Sequence, residues 1–357
     1  MALHKSGLSS PVAELLFGGT VIPAHPLALN PSREFDPVRQ RALTRYYIDA
    51  GSGGLAVGVH ATQFEIRDVG LYEPVLECAM ETANDWTPIG GKRPLIMIAG
   101  LAGGTTQATS EARTAVSIGY HAGLLSLAAM KGSSDDELIN HCEAVAAEIP
   151  LVGFYLQPAV GGIHLSVDFW RRFAEIDNVI AVKTAPFNRY RTLDVIRGVV
   201  EAGAEDRIAI YTGNDDHIVL DLLEPFTSLR NGQEVRVRIR GGLLGHWSVW
   251  TKSAVEQLRR IHAAIEGGVI DADLLALNSK ITDCNRAVFD VEHDFAGCIP
   301  GCHEILRRQG ILEGAWCLNP DEVLSPGQAE ELDRVQSGYP EMNDDEFVAE
   351  NLARWLA

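Results

Sequence analysis

One unit recurs along the chain: a short apolar strand, a polar loop, and a segment with apolar residues at helical spacing. The strand candidates are GGTVIPA, GLAV, PLIMIA, GLLS, LVGFYLQ, VIAVK, IAIYT and RGGLLG, ending near Ala24, Val57, Ala99, Ser126, Tyr155, Lys183, Thr212 and Gly245. Successive ends lie 27 to 42 residues apart, the spacing of βα repeats. Segments such as VRQRALTRYYIDAG, DELINHCEAVAAE and SVDFWRRFAEI supply the helices between them. Eight such units predict an α/β fold, the (β/α)8 TIM barrel. A doubly wound open sheet would place a G-x-G-x-x-G fingerprint between a strand and a helix, and no strand here is followed by one. The barrel takes residues 1–263, and residues 264–357 read as a C-terminal helical extension packed on it, with HEILRRQGIL and PGQAEELDRV as helices. The acidic EMNDDEFVAEN reads as a solvated helix face.

Composition narrows the function classes. The 357 residues are 46% apolar, enough for a full core, and carry 30 Lys and Arg against 48 Asp and Glu. A net charge of −18 repels phosphate backbones and anionic lipid, which argues against nucleic-acid and membrane-surface partners. The N-terminal segment, broken by Pro11 and Glu14, lacks the apolar run of a signal peptide or membrane span. Six cysteines are too sparse for a disulfide framework, so a reducing, cytoplasmic setting is expected.

In barrel enzymes the reacting groups stand at the C-terminal ends of the strands. Lys183 ends the apolar run VIAVK. It either snorkels out at the rim or sits in the barrel mouth, where lost hydration disfavours the ammonium and frees an amine to attack a carbonyl. Tyr155 ends the preceding strand 28 residues earlier, close enough across neighbouring strands for a phenol to move protons for an imine-forming lysine; otherwise it is a core tyrosine. His164, Asn188, Arg189 and Tyr190 lie on later loops as candidate contacts to a hydroxylated or acidic substrate. Cys298, Cys302, His303 and Cys317 have no second pair at ligand spacing and read as helix and core residues, so no metal is expected. Asn214, Asp215 and Asp216 follow the seventh strand, where one acid is expected to cap a helix.

The segments RALTRYYIDAGSGGLAVG, PLIMIAGLAGGTTQATSEA, GFYLQPAVGGIHLSVDFWRRFAEIDNVIAVKTA, YTGNDD, GGLLGHWSV and CIPGCHEILRRQGIL together resemble the dihydrodipicolinate synthase and N-acetylneuraminate lyase family, the Schiff-base aldolases. The resemblance implies a class I lyase with Lys183 as imine-forming nucleophile and Tyr155 as proton relay. It also implies a homo-oligomer, dimer or tetramer, with a small 2-oxo acid as substrate and no cofactor beyond the covalent imine. Gly161, Gly162, Gly213 and Gly242 fall in the matched segments as substrate-side positions, and Asn188 lies just beyond Lys183.

The departures are specific. The family's Gly-Thr-Thr-Gly-Glu loop, whose amides hold the substrate carboxylate, reads Gly58, Val59, His60, Ala61, Thr62. The glycine is kept and amides at Val59 and His60 can still cradle a carboxylate, but both relay hydroxyls are gone. A second relay tyrosine, donated across a subunit interface, is replaced by Ala128, Ala129 and Met130. His60 is then either a replacement acid or base or a structural loop residue. The arginine that holds the aldehyde substrate in true synthases corresponds to Val160, so synthase activity is not expected. Gly161 and Gly162 indicate a close backbone approach or unusual turn nearby. Three readings follow: an aldolase-type lyase on a pyruvate-like or sugar acid, a dehydratase or hydratase-aldolase on the same imine, and a turnover-deficient barrel that binds 2-oxo acids.

Overall fold

The computed structural model describes residues 2–88 and 90–357. In chain order the elements are α1 (Ser10–Gly18), β1 (Val21–Pro23), α2 (Pro37–Ala50), β2 (Gly54–Val57), α3 (Tyr72–Asp85), β3 (Ile96–Leu101), α4 (Thr105–Ile118), β4 (Ala122–Leu125), α5 (Asp135–Ala146), β5 (Leu151–Leu156), α6 (Val167–Glu175), β6 (Val179–Ala185) and α7 (Arg189–Glu201). There follow β7 (Ala209–Thr212), α8 (Ile218–Leu223), β8 (Pro225–Arg230), β9 (Gln233–Leu244), α9 (Thr251–Gly267), α10 (Ala272–Val288), α11 (Cys298–Arg308), α12 (Gln328–Gly338) and α13 (Asp345–Leu356). This succession, with its parallel pairings, is that of a (β/α)8 barrel with added C-terminal helices. Helix α9 runs across position 264, so the helices beyond the last βα unit begin at α10.

Two compact units divide the chain. The first, residues 1–20 and 96–243, holds β3 to β7 and β9 as successive parallel neighbours. Strands β5 and β6 are buried along their length, as expected in a parallel sheet covered by helices. Local signals place the helices: Ser134 and Glu137 form a reciprocal capping box on α5, and Ser166 caps α6 through the Phe169 N–H.

The last strand enters differently from the repeat pattern. Helix α8 has only six residues, and β8 then pairs antiparallel with the outer half of the twelve-residue β9. Asn231 and Gly232 make the turn, with φ of 52° and 77°, the Asn-Gly chemistry of a two-residue hairpin. The signal stands in SLRNGQEV, outside the βα spacing.

In the second unit, residues 21–95 and 244–357, β1 lies beside β2, with the His25 N–H donating to Ala56 O at 2.8 Å. Helix α13, whose acidic sequence reads as a solvated face, instead buries Val348 and Trp355 and docks on α2. Asp49 at the end of α2 holds it: one carboxylate oxygen accepts the Trp355 indole N–H at 2.6 Å and pairs with Arg354, and the other accepts the Trp86 indole at 3.0 Å. No helix among the described residues is long and apolar enough to cross a membrane.

Asp49→Ala leaves two indole donors and a guanidinium unpaired, and is expected to destabilise the fold by about 3 kcal/mol. Urea unfolding checks this; an unchanged midpoint would show that α13 docks through its apolar residues alone.

Candidate active site

Strand β6 reads VIAVKTA, and its register assigns each side chain a face. Lys183 lies beside Phe154 of β5 and Tyr211 of β7, whereas Thr184 lies beside Tyr155 and Thr212. In-register residues of a parallel sheet point to the same side and consecutive residues to opposite sides. Lys183, Phe154, Tyr211 and Ala185 therefore share one face, and Tyr155, Thr184 and Thr212 share the other.

Contacts identify the second face as the helix side. A Cβ on Gly153 would stand 2.7 Å from the Phe173 ring of α6, and the Tyr155 ring centroid lies 5.4 Å from that of Trp170, also on α6. The Tyr155 hydroxyl accepts from Leu165 N–H at 3.3 Å and lies 3.4 Å from Leu165 O. Burial pushes the phenol above its ordinary range. The expectation that Tyr155 faces an imine at Lys183 is thus corrected. The physical reason is an irregularity in the β5–β6 ladder. Leu151 pairs with Val179, an offset of 28 residues, but Val152 pairs with Ala181 and Phe154 with Lys183, an offset of 29. The 28-residue spacing between Tyr155 and Lys183 matches only the register before the irregularity.

On the inner face Lys183 is buried, and Nζ lies 4.4 Å from the Phe154 ring centroid, a cation–π distance. Gly213 makes room for the side chain: a Cβ there would come 2.5 Å from Lys183 Cε and 2.8 Å from Ala185 Cβ. Its N–H donates to Thr184 O at 2.7 Å, which fixes this close approach. The Tyr211 hydroxyl is engaged elsewhere, donating to Leu16 O at 2.7 Å. Gly242 pairs with Thr212 and so lies on the helix side; Gly241, one residue earlier, stands beside Tyr211, where a Cβ would come 2.9 Å from its ring.

Beyond the strand ends a polar network joins the loops after β6 and β7. Asp221, fully buried on α8, accepts from Thr212 Oγ1 at 2.7 Å and Asn214 Nδ2 at 2.9 Å on one oxygen. Its other oxygen pairs with Arg189 and lies 3.2 Å from His217 Nδ1. Asn214 Oδ1 accepts the Phe187 N–H at 3.0 Å, and Phe187 has φ of 50°, a strained value for an aromatic residue. Asn188 caps α7 through the Arg191 N–H, while neither Asp215 nor Asp216 caps α8. Burial raises the Asp216 carboxyl above its ordinary range, against the pull of Arg189. His164 and Tyr190 are exposed.

The glycines after β5 serve their own loop. Gly161, with φ of 97°, closes the turn Pro158–Val160, and a Cβ on Gly162 would fall 1.9 Å from Leu156 O. The loop after β2, in the second unit, is held by Thr62. Its hydroxyl accepts from Gly58 N–H at 2.9 Å and donates to His25 O at 2.6 Å, so a hydroxyl four residues on occupies the Gly58 amide. Val59 is buried, and His60 is half-buried with its ring 5.9 Å from that of Phe64. Cys298 and Cys302 lie on α11, and burial holds His303 down to about 4. Among the described residues no three His, Cys, Asp or Glu side chains gather as a metal site.

Phe154, Gly241, Asp221 and Thr62 have roles that sequence reasoning missed. Asp221 carried a usable signal, a lone acid in the apolar run IVLDLL; Phe154 carried none without the register.

The sequence profile of the Dihydrodipicolinate synthetase family matches residues 18–225. The chain is 25% identical over 262 residues to the 4-hydroxy-tetrahydrodipicolinate synthase of Halorhodospira halophila, covering 71% of this chain and 76% of that one. It is 28% identical over 211 residues to the enzyme of the same name from Desulforudis audaxviator, covering 57% of this chain and 66% of the relative. A crystal structure of a dihydrodipicolinate synthase superposes with a TM-score of 0.71 at 18% identity, covering 91% of this chain and all of that one. N-acetylneuraminate lyase from Fusobacterium nucleatum gives 0.69 at 16% identity, covering 90% of this chain and 99% of that one. These structures share the barrel fold.

Tyr155→Phe is expected to cost about 1 kcal/mol of stability through the lost Leu165 contacts, and to leave the Lys183 amine as reactive as before. Gly213→Val, which intrudes on Lys183 Cε, should suppress that reactivity in a folded protein. Thermal melts and borohydride trapping with pyruvate check both; a Tyr155→Phe protein that melts normally but no longer traps would contradict the assigned face.

Proposed function

Because the chain belongs to the dihydrodipicolinate synthetase family, we propose that it is an aldolase-type lyase working through an imine at Lys183 on a pyruvate-like 2-oxo acid or sugar acid. The observation that carries this reading is the burial of Lys183 on the inner face, in space kept open by Gly213. The Lys183 amine adds to the 2-oxo carbon and water departs, leaving an iminium that accepts electrons from the adjacent carbon. Cleavage of the next carbon–carbon bond then gives an enamine and an aldehyde, the hydroxyl proton being removed as the bond breaks. Protonation of the enamine and hydrolysis release the 2-oxo acid and restore the amine. Run in reverse, the same steps form the bond. The imine chemistry is proposed to need neither metal nor organic cofactor.

A dehydratase or hydratase-aldolase uses the same iminium, with loss or gain of water at the neighbouring carbon. One observation favours the third reading, a 2-oxo-acid-binding barrel of low turnover: the ring facing Lys183 is Phe154, which has no proton to give, while the neighbouring phenol lies on the helix side. Val160, apolar and half-buried where the resemblance expects an arginine, supports excluding condensation with aspartate semialdehyde. The proposed protein is a cytoplasmic homo-oligomer, dimer or tetramer, as the family resemblance implies, and its charge of −18 supports the reading without nucleic-acid or membrane partners.

Pyruvate with borohydride is expected to add a reduced adduct to the peptide containing Lys183, and Lys183→Ala to abolish it. An adduct on Lys131 or Lys252, or none with several 2-oxo acids, would overturn the reading. Scoring a panel of 2-oxo and sugar acids for pyruvate release or water loss then separates lyase, dehydratase and binding protein, and a coupled synthase assay is expected to show no efficient turnover.

A further inference from the structure

The two flanks of Lys183 differ in kind. On the β5 side its in-register neighbour is Phe154, and Nζ lies 4.4 Å from the centroid of that ring. On the β7 side stands Gly213, where a Cβ would come 2.5 Å from Lys183 Cε and 3.2 Å from Cγ. Ala185, on the same face, is likewise small, and a Cβ on Gly213 would come 2.8 Å from its own. An imine carbon bonded to Nζ stands only about 1.3 Å from it, the length of a C–N bond with double-bond character. Its surroundings are therefore an aromatic ring on one side and a stretch of bare backbone on the other. Electrostatics sorts the two arms that this carbon carries in a 2-oxo acid. The face of an aromatic ring is negative, so it repels the carboxylate and accepts the C–H groups of the alkyl arm.

The ring has little room to retreat. Strand β5 is paired on both sides, with β4 through Gly153 and with β6 through Phe154 itself. Gly153 closes the strand against α6, where a Cβ would meet the Phe173 ring at 2.7 Å. Phe154 is buried as well. Extra methyl groups forced against close-packed, fixed neighbours push side chains out of their preferred rotamers, and the misfit opposes binding. We propose that Phe154 determines which 2-oxo acid the site accepts: its ring receives the alkyl arm of the acid held at Lys183 and restricts that arm to a small, unbranched group. The inference rests on the reading that Lys183 binds the 2-oxo carbon, and it names the size class of acid within that reading.

The test compares pyruvate, 2-oxobutanoate and 3-methyl-2-oxobutanoate, which differ only in the alkyl arm. The concentration of each giving half-maximal borohydride trapping at Lys183 is measured by intact mass on the wild type and Phe154→Ala, with circular dichroism and melting curves to establish folding. Phe154→Leu serves if Phe154→Ala does not fold. Trapping of the same acids on Nα-acetyllysine supplies the baseline for their own reactivity. Beyond that baseline the wild type is expected to favour pyruvate over 3-methyl-2-oxobutanoate by about tenfold or more, the scale of an overpacked contact, with 2-oxobutanoate between them. Phe154→Ala should erase most of the preference. A loss of packing alone moves all three acids together and leaves their ratio unchanged. A wild type that ranks the acids as the free amine does, or a preference that survives the loss of the ring, overturns the proposal. Should no acid trap on the wild type, the imine reading fails instead. Reductive alkylation of Lys183 with acetaldehyde and 2-methylpropanal, mapped by peptide, then decides Phe154 alone. Exclusion of the branched aldehyde that Phe154→Ala relieves supports the assignment, and any pattern that does not depend on Phe154 overturns it.

Discussion

The register between β5 and β6 controls what can share a reaction space with Lys183. A parallel ladder places in-register side chains on one face, and a one-residue shift transfers every subsequent side chain to the other. The irregularity at Leu151 and Val152 makes that shift within the first turn of the ladder. Phe154 then comes under the lysine nitrogen, and Tyr155 packs into the helix layer against Trp170. A phenol and a phenyl ring are similar in bulk, so the packing tolerates either arrangement. The chemistry does not, because only one of the two can donate a proton.

Around the lysine, small residues do most of the shaping. Gly213 and Gly241 leave the volume that Lys183 and Tyr211 fill, and the Gly213 amide is tied to the strand that carries the lysine. Phe154 and Gly213 lie against Lys183 on the inner face, and a polar layer gathers in the loops after β6 and β7. Asp221 organises that upper layer by accepting from four side chains at once. A carboxylate buried to this extent is stable only with its oxygens satisfied. Its partners, Thr212, Asn214, His217 and Arg189, come from two successive loop regions and are held in common. The loops after β6 and β7 are thereby tied together through Arg189, Asp221, Asn214 and the Phe187 amide.

The loop after β2 illustrates function and structure exchanging parts. Compared with the family pattern, its two threonines are lost, yet a threonine at position 62 returns a hydroxyl to the Gly58 amide. That hydroxyl also donates to His25 O, so Thr62 serves the loop's own structure and occupies the Gly58 amide.

Sequence alone determined the number of βα units, the barrel class, and the standing of Lys183 at the end of the sixth strand, because apolar periodicity, turn chemistry and repeat spacing are local properties. The Asn-Gly turn of the β8–β9 hairpin was equally local, but it lay outside the repeat. Tertiary structure alone decided the face taken by Tyr155, the fastening of Arg189, and the docking of α13. Each depends on groups distant along the chain: Asp49 and Trp355 are separated by 306 residues, and the Arg189–Asp221 pair by 32. Strand register is likewise set between segments, by an irregularity in backbone pairing that leaves side-chain periodicity almost untouched. Residue spacing counts positions along the chain, whereas the chemistry depends on which side of the sheet each position faces.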